Sequence, residues 1–199
     1  MYKKLYKIRG YIYPLILICC IRSVFIDWYN VPSGSMNPTI LEGDKVFVNK
    51  CAYDLRIPFT TWNIIKLNEP KRGDIIVFYS PHDGKRLVKR LIGMPGDKIS
   101  MINNVLQING ETIKTDKNIE ALFDCSHQVK YSGENSINSF VELELPANKY
   151  FMMGDNRNNS IDSRVFGFIT RNSILGKARK ILFSTDNFIP RSDRWWLNL

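Results

Sequence analysis

The chain has 199 residues, of which 44% are hydrophobic and 24% are charged, so it can bury the core of one domain plus a small lobe, and a disordered protein is excluded. Its net charge of +9 suits nucleic acid, an anionic membrane surface or a soluble basic surface. Because no zinc finger, helix-turn-helix or aromatic RNA-binding motif is present, the sequence favours a membrane over nucleic acid.

The N-terminal segment joins a basic start to an apolar run. Residues 1–9 carry four basic side chains, and residues 10–27 are apolar except for Arg22 and Asp27. A spanning helix needs about 20 mostly apolar residues, so this run is short, and we expect Arg22 to extend toward the outer interface. The pattern predicts a transmembrane anchor at 10–27 with the basic residues 1–9 in the cytoplasm. The alternatives are a cleaved signal peptide, disfavoured because no small-x-small cleavage site follows, and a buried core helix.

The segments after the anchor are short, β-rich and separated by turns. No long helical period follows the anchor, so the predicted fold class is mostly β: irregular, barrel-like antiparallel sheets over residues 28–199 behind one transmembrane helix. The Asn103-Asn104 turn predicts a hairpin. Predicted strands cover residues 45–49, 75–79, 86–94, 98–101, 105–108, 149–153 and 174–183.

Two further segments have weaker patterns. Residues 57–66 form a looser apolar stretch, which we interpret as a loop lying against lipid. Residues 116–146 are rich in Asn and Ser, and we interpret them as a small inserted lobe away from the chemistry.

The four cysteines show no metal-site spacing, and no metal site is predicted. Cys19 and Cys20 lie in the apolar segment and are interpreted as packing residues. Cys51 and Cys125 would face an oxidising compartment outside the membrane. Whether they form a disulfide stays open, because the sequence does not show that they meet.

Residues 31–39, with the sequence VPSGSMNPT, are arranged to present a hydroxyl group. Gly34 allows a tight turn beside Ser35, and the flanking prolines fix the backbone on either side. A serine hydroxyl is a weak nucleophile, so Ser35 needs a nearby base.

A histidine is not the obvious base. His82 and His127 both lie in polar, turn-rich segments where we expect them to be solvated, and the chain has no HExxH or GxSxG motif. A Ser-His-Asp triad therefore has no evident histidine.

A lysine is the other base available to a serine, provided that burial keeps it neutral. Strand alternation places Lys89 on one face with Leu87 and Leu91. The alternative, which the strand pattern alone favours, is an edge strand with Lys89 and Arg90 solvated.

Residues 154–164, with the sequence GDNRNNSIDSR, are too dense in short polar groups to be explained as packing. They form either a turn stabilised by its own side chains or a set of groups that orient a catalytic base.

Three segments together resemble the motifs of type I signal peptidases, membrane-anchored proteases with a Ser/Lys dyad. They are PSGSMNPT, then RGDIIVF with KRLIGMPGD, then GDNRNNSIDSR followed by GFI and LGKA. Their order and spacing match, and the resemblance covers residue 21 to about residue 183. The family usually has Asp where this chain has Asn158, which lies outside the catalytic pair, and the inserted lobe matches poorly.

The resemblance implies a role for each matching residue. Ser35 resembles the nucleophile and Lys89 the general base. The Ser33 hydroxyl and the Ser35 backbone N–H resemble an oxyanion hole, and Ser160 resembles the serine that hydrogen-bonds the lysine.

The same resemblance implies a supporting shell and small substrate pockets. Asp162 is expected to pair with Arg164, and Asp155 with Arg90. The residues that match the lining of the pockets for small side chains at −1 and −3 are Val31, Met36, Leu87 and Val88.

The implied function is removal of signal peptides from exported, membrane-bound preproteins, without a metal or cofactor and without nucleic acid. The implied location is a bacterial inner membrane, crossed once by a monomer, with the catalytic domain outside. The alternatives are a dedicated conjugation-type peptidase that processes one secreted subunit, and a non-catalytic membrane-tethered domain that binds peptides.

Overall fold

The computed structural model describes residues 2–60, 62–131 and 139–199, with side chains from residue 10 onward. The described chain is mostly β, as predicted, with an N-terminal helix α1 (Tyr2–Val24) and a single turn of helix α2 (Ser163–Phe166). The strands are β1 (Ile26–Asn30), β2 (Asp44–Asn49), β3 (Asp54–Arg56), β4 (Asn63–Lys66), β5 (Ile75–Tyr79), β6 (Arg86–Gly93), β7 (Lys98–Ile102), β8 (Val105–Ile108), β9 (Glu111–Thr112), β10 (Thr115–Asp116), β11 (Ile119–Leu122), β12 (Cys125–Gln128), β13 (Phe140–Glu144), β14 (Lys149–Met153), β15 (Ile169–Thr170), β16 (Ile174–Asp186) and β17 (Ile189–Pro190).

Helix α1 ends earlier than the predicted anchor. Ile26 and Asp27 belong to β1, where they pair with residues of β2, so the predicted end of the anchor at residue 27 is wrong. The Lys50 side chain caps the C-terminal end of α1: its Nζ donates a hydrogen bond to the Ser23 carbonyl over 2.6 Å. Within residues 2–60, 62–131 and 139–199, no helix is both long and apolar enough to cross a membrane.

The largest sheet carries the centre of the molecule. Its antiparallel strands follow the order β1-β2-β16-β5-β6-β14-β15, and β17 pairs with β16. Strand β6 lies between β5 and β14, with Lys89 opposite Ile76 and Arg90 opposite Met153. The edge-strand alternative for this segment is therefore wrong. Both side chains are buried instead, at 3% and 7% exposure.

A smaller unit packs beside this sheet. Strands β13-β7-β8-β9 form one sheet and β10-β11-β12 another. The predicted hairpin joins β7 to β8, and Asn103 and Asn104 both adopt positive φ, as its tight turn requires. Phe151 of β14 packs with Ile99 and Leu106, so one core connects the small unit to the main sheet.

The apolar segment 57–66 contains regular structure as well as a loop. Residues 63–66 form β4, which pairs with β3, so the interpretation of the whole segment as a loop is wrong. The connection between these strands exposes Phe59 and Trp62, which are 71% and 73% accessible.

All four cysteines are free. The open question of a bond between Cys51 and Cys125 is thereby answered: the two thiols are not joined. Cys51 Sγ instead lies 3.3 Å from the Val24 carbonyl at the end of α1.

Candidate active site

The predicted nucleophile, Ser35, lies in a short 3-10 helix, Gly34–Met36, which we call the nucleophile turn. Ser33 precedes it with an extended backbone, and Ser35 lies in its first turn, where backbone N–H groups have no helical acceptor. Met36 is fully buried and packs in the same core as Val31 and Ile40. The burial of Met36 fixes the turn, so that Ser35 has one defined position.

Ser35 and Lys89 are brought together across 54 residues of chain. The Lys89 Nζ lies 2.5 Å from the Ser35 Oγ, and both residues are buried. Burial lowers the pKa of Lys89 to about 8, against the opposing influence of Asp162 and Asp155. A large fraction of this amine is therefore neutral at mildly alkaline pH and can accept the serine proton.

The first carboxylate–arginine pair joins Asp155 to Arg90. The guanidinium donates to both carboxylate oxygens, over 2.8 and 2.7 Å, and Arg90 also donates to the Gly73 carbonyl. The Thr39 hydroxyl donates to the same carboxylate over 2.5 Å. Burial alone would raise the pKa of Asp155, but the bonds from Arg90 hold that pKa below its ordinary value. The pair thus links the nucleophile segment, β6 and the loop after β14.

The second pair joins Asp162 to Arg164 within one helical turn. Arg164 donates to the two carboxylate oxygens over 2.8 and 2.7 Å. Asp162 also caps α2 and accepts a bond from the Gly154 N–H, which closes the loop 154–162 upon itself. Although burial favours the neutral acid, Arg164 keeps the pKa of Asp162 below its ordinary value.

Ser160 lies in the loop but does not hydrogen-bond Lys89 in this structure. Its Oγ is buried without a hydrogen-bond partner among the described residues, yet its hydroxyl helps to lower the pKa of Asp162. A Cβ at Gly154 would overlap both the Ser160 side chain and the Ser35 carbonyl. The absence of a side chain at Gly154 therefore lets the loop approach the nucleophile.

Asn156 holds this loop directly against the nucleophile turn. Its backbone N–H donates to the Ser35 carbonyl and its side-chain amide donates to the Gly34 carbonyl, both over 3.1 Å. Neither Asn156 nor Thr39 was predicted from the sequence to have a role. Their membership of the polar motifs was the only signal available, since a polar residue in a loop does not reveal its acceptor.

The inserted lobe is tied to the catalytic loop, so the expectation that it lies away from the chemistry is wrong. Arg157 and Glu120 form a bidentate ion pair with distances of 2.7 and 2.6 Å, and both side chains are fully buried. Backbone bonds also connect Lys130 to Asp155 and Arg157. The polar composition hid an alternation in β11, which turns Glu120 and Leu122 inward.

His127 is buried, so the expectation that it is solvated is wrong. Its Nε2 lies 3.5 Å from a Glu120 oxygen and 3.8 Å from an Asp155 oxygen. Burial and the nearby Arg90 lower the pKa of His127 to about 3, so the ring is neutral at physiological pH. Among the described residues, no hydrogen bond joins this ring to Ser35.

Two grooves meet at Ser35 and Lys89. One, of about 810 Å³, extends along β1 and β6. The other, of about 430 Å³, extends along the loop at 157–161. Ser33 lines both grooves. Of the residues predicted to line the substrate pockets, Val31, Leu87 and Val88 line the first groove, whereas Met36 supports the turn from the core.

Comparison with known proteins places this geometry in context. A family model described as "Signal peptidase, peptidase S26" matches residues 6–183. The signal peptidase I of Buchnera aphidicola subsp. Schizaphis graminum is 34% identical, over 90% of this chain and 74% of that protein. The signal peptidase I of Rickettsia massiliae is 35% identical over 95% of this chain and 81% of that protein. The signal peptidase I of Pseudomonas aeruginosa is 32% identical over 85% of this chain and 69% of that protein.

Proposed function

The chain belongs to the signal peptidase family, peptidase S26, and on this basis we propose that it removes N-terminal signal peptides from exported preproteins with a Ser/Lys dyad. The observation that carries the proposal is the contact between the Lys89 amine and the Ser35 hydroxyl, in surroundings that lower the lysine pKa.

In the proposed reaction, neutral Lys89 accepts the Ser35 proton as Oγ attacks the carbonyl carbon of the scissile bond. The resulting ammonium then donates a proton to the leaving amine, and the acyl group stays on Ser35. In the second half, Lys89 takes a proton from water as the water oxygen attacks the acyl carbon. The bond between this carbon and Ser35 Oγ then breaks, and the Lys89 ammonium returns the proton to Oγ, which restores both residues.

The negative charge that develops on the carbonyl oxygen needs donors at the same turn. The Ser35 backbone N–H and the Ser33 hydroxyl are proposed for this role, supported by the position of Ser33 in both grooves beside Ser35. One such donor is worth about 10²–10³ in rate.

The substrate is proposed to bind in extended form in the larger groove, beside residues 30–33 and 86–89. Val31, Leu87 and Val88 line this groove together with Ser35 and Lys89. These apolar walls are proposed to admit small side chains at −1 and −3 and to exclude large ones.

Helix α1 is proposed to hold the domain at a bacterial inner membrane, with the N-terminus in the cytoplasm and the β-rich domain outside, as a monomer. The support is a set of apolar side chains that α1 leaves exposed. They are Tyr11, Ile12, Tyr13, Leu15, Ile16, Leu17, Ile18 and Ile21.

The test is cleavage of purified preproteins with an Ala-x-Ala site by the full chain in detergent. Wild-type protein should cut after the −1 residue, and enlargement of −1 or −3 should abolish cutting. Ser35→Ala should lose the activity, whereas Ser126→Ala, at an exposed serine of β12, should retain it.

Two results would contradict the proposal. Turnover by Ser35→Ala equal to that of wild type would remove Ser35 from the mechanism. Failure of well-folded protein to cut several such preproteins would favour a dedicated processing enzyme or a peptide-binding domain.

A further inference from the structure

A third cavity, of about 580 Å³, lies where the end of α1 meets the β3–β4 hairpin. We call it the junction cavity. It is lined by Ser23, Asp27, Lys50, Arg56, Trp62 and Arg86, among others. Three of these six side chains are basic and one is acidic, so the cavity carries an excess of positive charge.

The single carboxylate is already engaged. Asp27 accepts hydrogen bonds from the Tyr29 hydroxyl over 3.0 Å and from Arg22 over 3.3 Å. In the described ranges of the chain, the salt bridges of Asp27 include none with Lys50, Arg56 or Arg86. Within the described ranges, the three basic side chains that line the cavity therefore outnumber its one carboxylate, which already binds other groups.

Arg56 is the most deeply placed cation. It is 6% exposed, and one guanidinium nitrogen donates to the Ile174 carbonyl. Its Nε has no hydrogen-bond partner in the part of the chain that the structure describes. A buried guanidinium with an unused N–H is costly unless an acceptor is supplied.

Lys50 stands at the wall formed by α1. Its bond to the Ser23 carbonyl uses one of its three ammonium protons, so two protons remain available. Burial lowers the pKa of both Lys50 and Arg56, against the opposing influence of Asp27 on Lys50 and of Asp54 on Arg56. An anion between them would reverse that effect.

The rim of the cavity is aromatic and apolar. Phe59 and Trp62 project from the hairpin, and the Phe59 N–H donates to the Ser23 hydroxyl, which joins the hairpin to the helix end. Ile64 and Ile65 are also more than half exposed. The cations thus lie beside a surface suited to a hydrocarbon layer, at the end of a helix with exposed apolar side chains.

We propose that the junction cavity binds the phosphate of an anionic phospholipid, with Arg56 and Lys50 donating to its oxygens and Arg86 at its side. Charge complementarity selects an anion, and the apolar rim selects one whose remainder is a lipid. The substrate accounts for neither Lys50 nor Arg56, since these two residues do not line the grooves at Ser35, whereas Arg86 lines both the larger groove and the junction cavity. The inference rests on the membrane location proposed above but not on catalysis.

The experiment measures protection of Lys50 from acylation. The Ser35→Ala full chain, which cannot process substrate, is reconstituted in phosphatidylcholine vesicles with or without phosphatidylglycerol. A short pulse of an acetylating ester is followed by mass spectrometry of each lysine. Because one pKa unit changes the neutral fraction about tenfold, a bound phosphate should reduce Lys50 acylation about tenfold in the anionic vesicles.

Two lysines serve as internal controls. Lys66 is exposed at the end of the same hairpin and reports general attraction of cations to an anionic surface, and exposed Lys98 of β7 reports reagent activity. The expected result is protection of Lys50 well beyond that of Lys66. Equal protection of these two lysines, or equal protection of Lys50 in both kinds of vesicle, would overturn the proposal.

Two further experiments complete the test. One distinguishes binding of a lipid from binding of a free anion, and the other tests the role of Arg56. Inorganic phosphate, added to the protein in detergent, should protect Lys50 little; protection equal to that by phosphatidylglycerol would overturn the lipid assignment. Arg56→Gln should lose the lipid-dependent protection, with Arg56→Lys retaining part of it. If Arg56→Gln does not fold, the wild-type cavity still gives the deciding comparison, and cleavage in detergent separately tests the proposed activity.

Discussion

At the scale of single residues, Lys89 lies where burial disfavours the charged form of its side chain. It shares a buried strand with Leu91, and its pKa lies near 8 because burial opposes the ammonium form. Two carboxylates, Asp155 and Asp162, act in the opposite direction and prevent the pKa from falling further. The pKa of the proposed base is therefore set by a balance of burial and nearby charge.

This balance predicts the pH dependence of cleavage. The rate should rise with pH through about 8 and then level off, because only the neutral Lys89 accepts the Ser35 proton. The measurement is kcat/KM for one preprotein in detergent over a series of buffers. A flat profile, or one that rises only near the ordinary lysine value of 10.5, would contradict the assignment.

The same pKa predicts that the base weakens the fold. Lys89→Met should abolish cleavage yet increase the free energy of unfolding by about 3 kcal/mol at neutral pH, given the lowering of the pKa from 10.5 to about 8. The unfolded chain binds more protons than the folded one between these values, so wild-type stability rises with pH across that window. The advantage of the variant should be full below pH 8 and should disappear toward pH 10.5.

Urea unfolding of both proteins at several pH values measures this effect. Lys98→Met, at an exposed lysine, is the matched control and should change stability little. Cleavage by Lys89→Met at any pH, or a stability difference that does not depend on pH, would refute the argument.

At the scale of elements, the loop after β14 depends on the inserted lobe. Arg157 in this loop and Glu120 of β11 form a fully buried pair, and removal of one partner leaves the other charge without compensation. Glu120→Gln should cost about 3–5 kcal/mol of stability and should also lower kcat, because the adjoining Asn156 holds the nucleophile turn.

Thermal unfolding and cleavage assays check this prediction. Glu111→Gln removes a carboxylate that is exposed in the same unit and should leave both quantities unchanged. Replacement of the pair together, as Glu120→Leu with Arg157→Met, should recover much of the lost stability, since well-packed apolar residues often substitute for a buried ion pair. A fully stable Glu120→Gln would show that the pair does not support the loop.

Local patterns in the sequence predicted the elements better than their contacts. The alternation and turns located β5, β6, β7, β8 and β14 with small errors at their ends. The polar composition of 116–146 concealed β11, because alternation is hard to recognise where the inward residue is Glu120. The burial of His127 was not predicted either, because the carboxylates near its ring, Glu120 and Asp155, come from other segments of the chain.

The residues of the candidate site were likewise predicted better than their contacts. The strand pattern was compatible with a buried Lys89 and with a solvated one, because the place of a strand in a sheet depends on its neighbours. The resemblance to a family selected Ser35 and Lys89, and the fold brings their side chains together. The hydrogen bonds of Thr39 and Asn156 could not be predicted from the sequence, because a polar residue in a loop does not reveal its acceptor.

At the scale of the whole molecule, α1 is joined to the β-rich part by few polar contacts. Ser23 accepts bonds from Lys50 and from the Phe59 N–H, and Val24 accepts one from Cys51. None of these contacts belongs to the core of the main sheet. The helix and the catalytic part should therefore be separable.

Deletion of residues 1–24 tests this expectation. The remaining chain should fold and should cleave a soluble peptide, while its association with vesicles should weaken and depend on anionic lipid. Circular dichroism and vesicle flotation are the measurements, with the full chain as the control. Loss of the β structure would contradict separability, and unchanged flotation on neutral vesicles would contradict the role of α1.

The interior position of β6 has a consequence for control of the enzyme. Strand β5 pairs with β6 from Arg86 to Arg90, and β14 pairs with it from Arg90 to Gly93, so a displacement of the backbone at Lys89 would break pairs of the central sheet. If Lys89 is the base that we propose, its position is set before a substrate arrives. We therefore expect turnover to be limited by how fast preproteins reach the groove and by how long each one stays there.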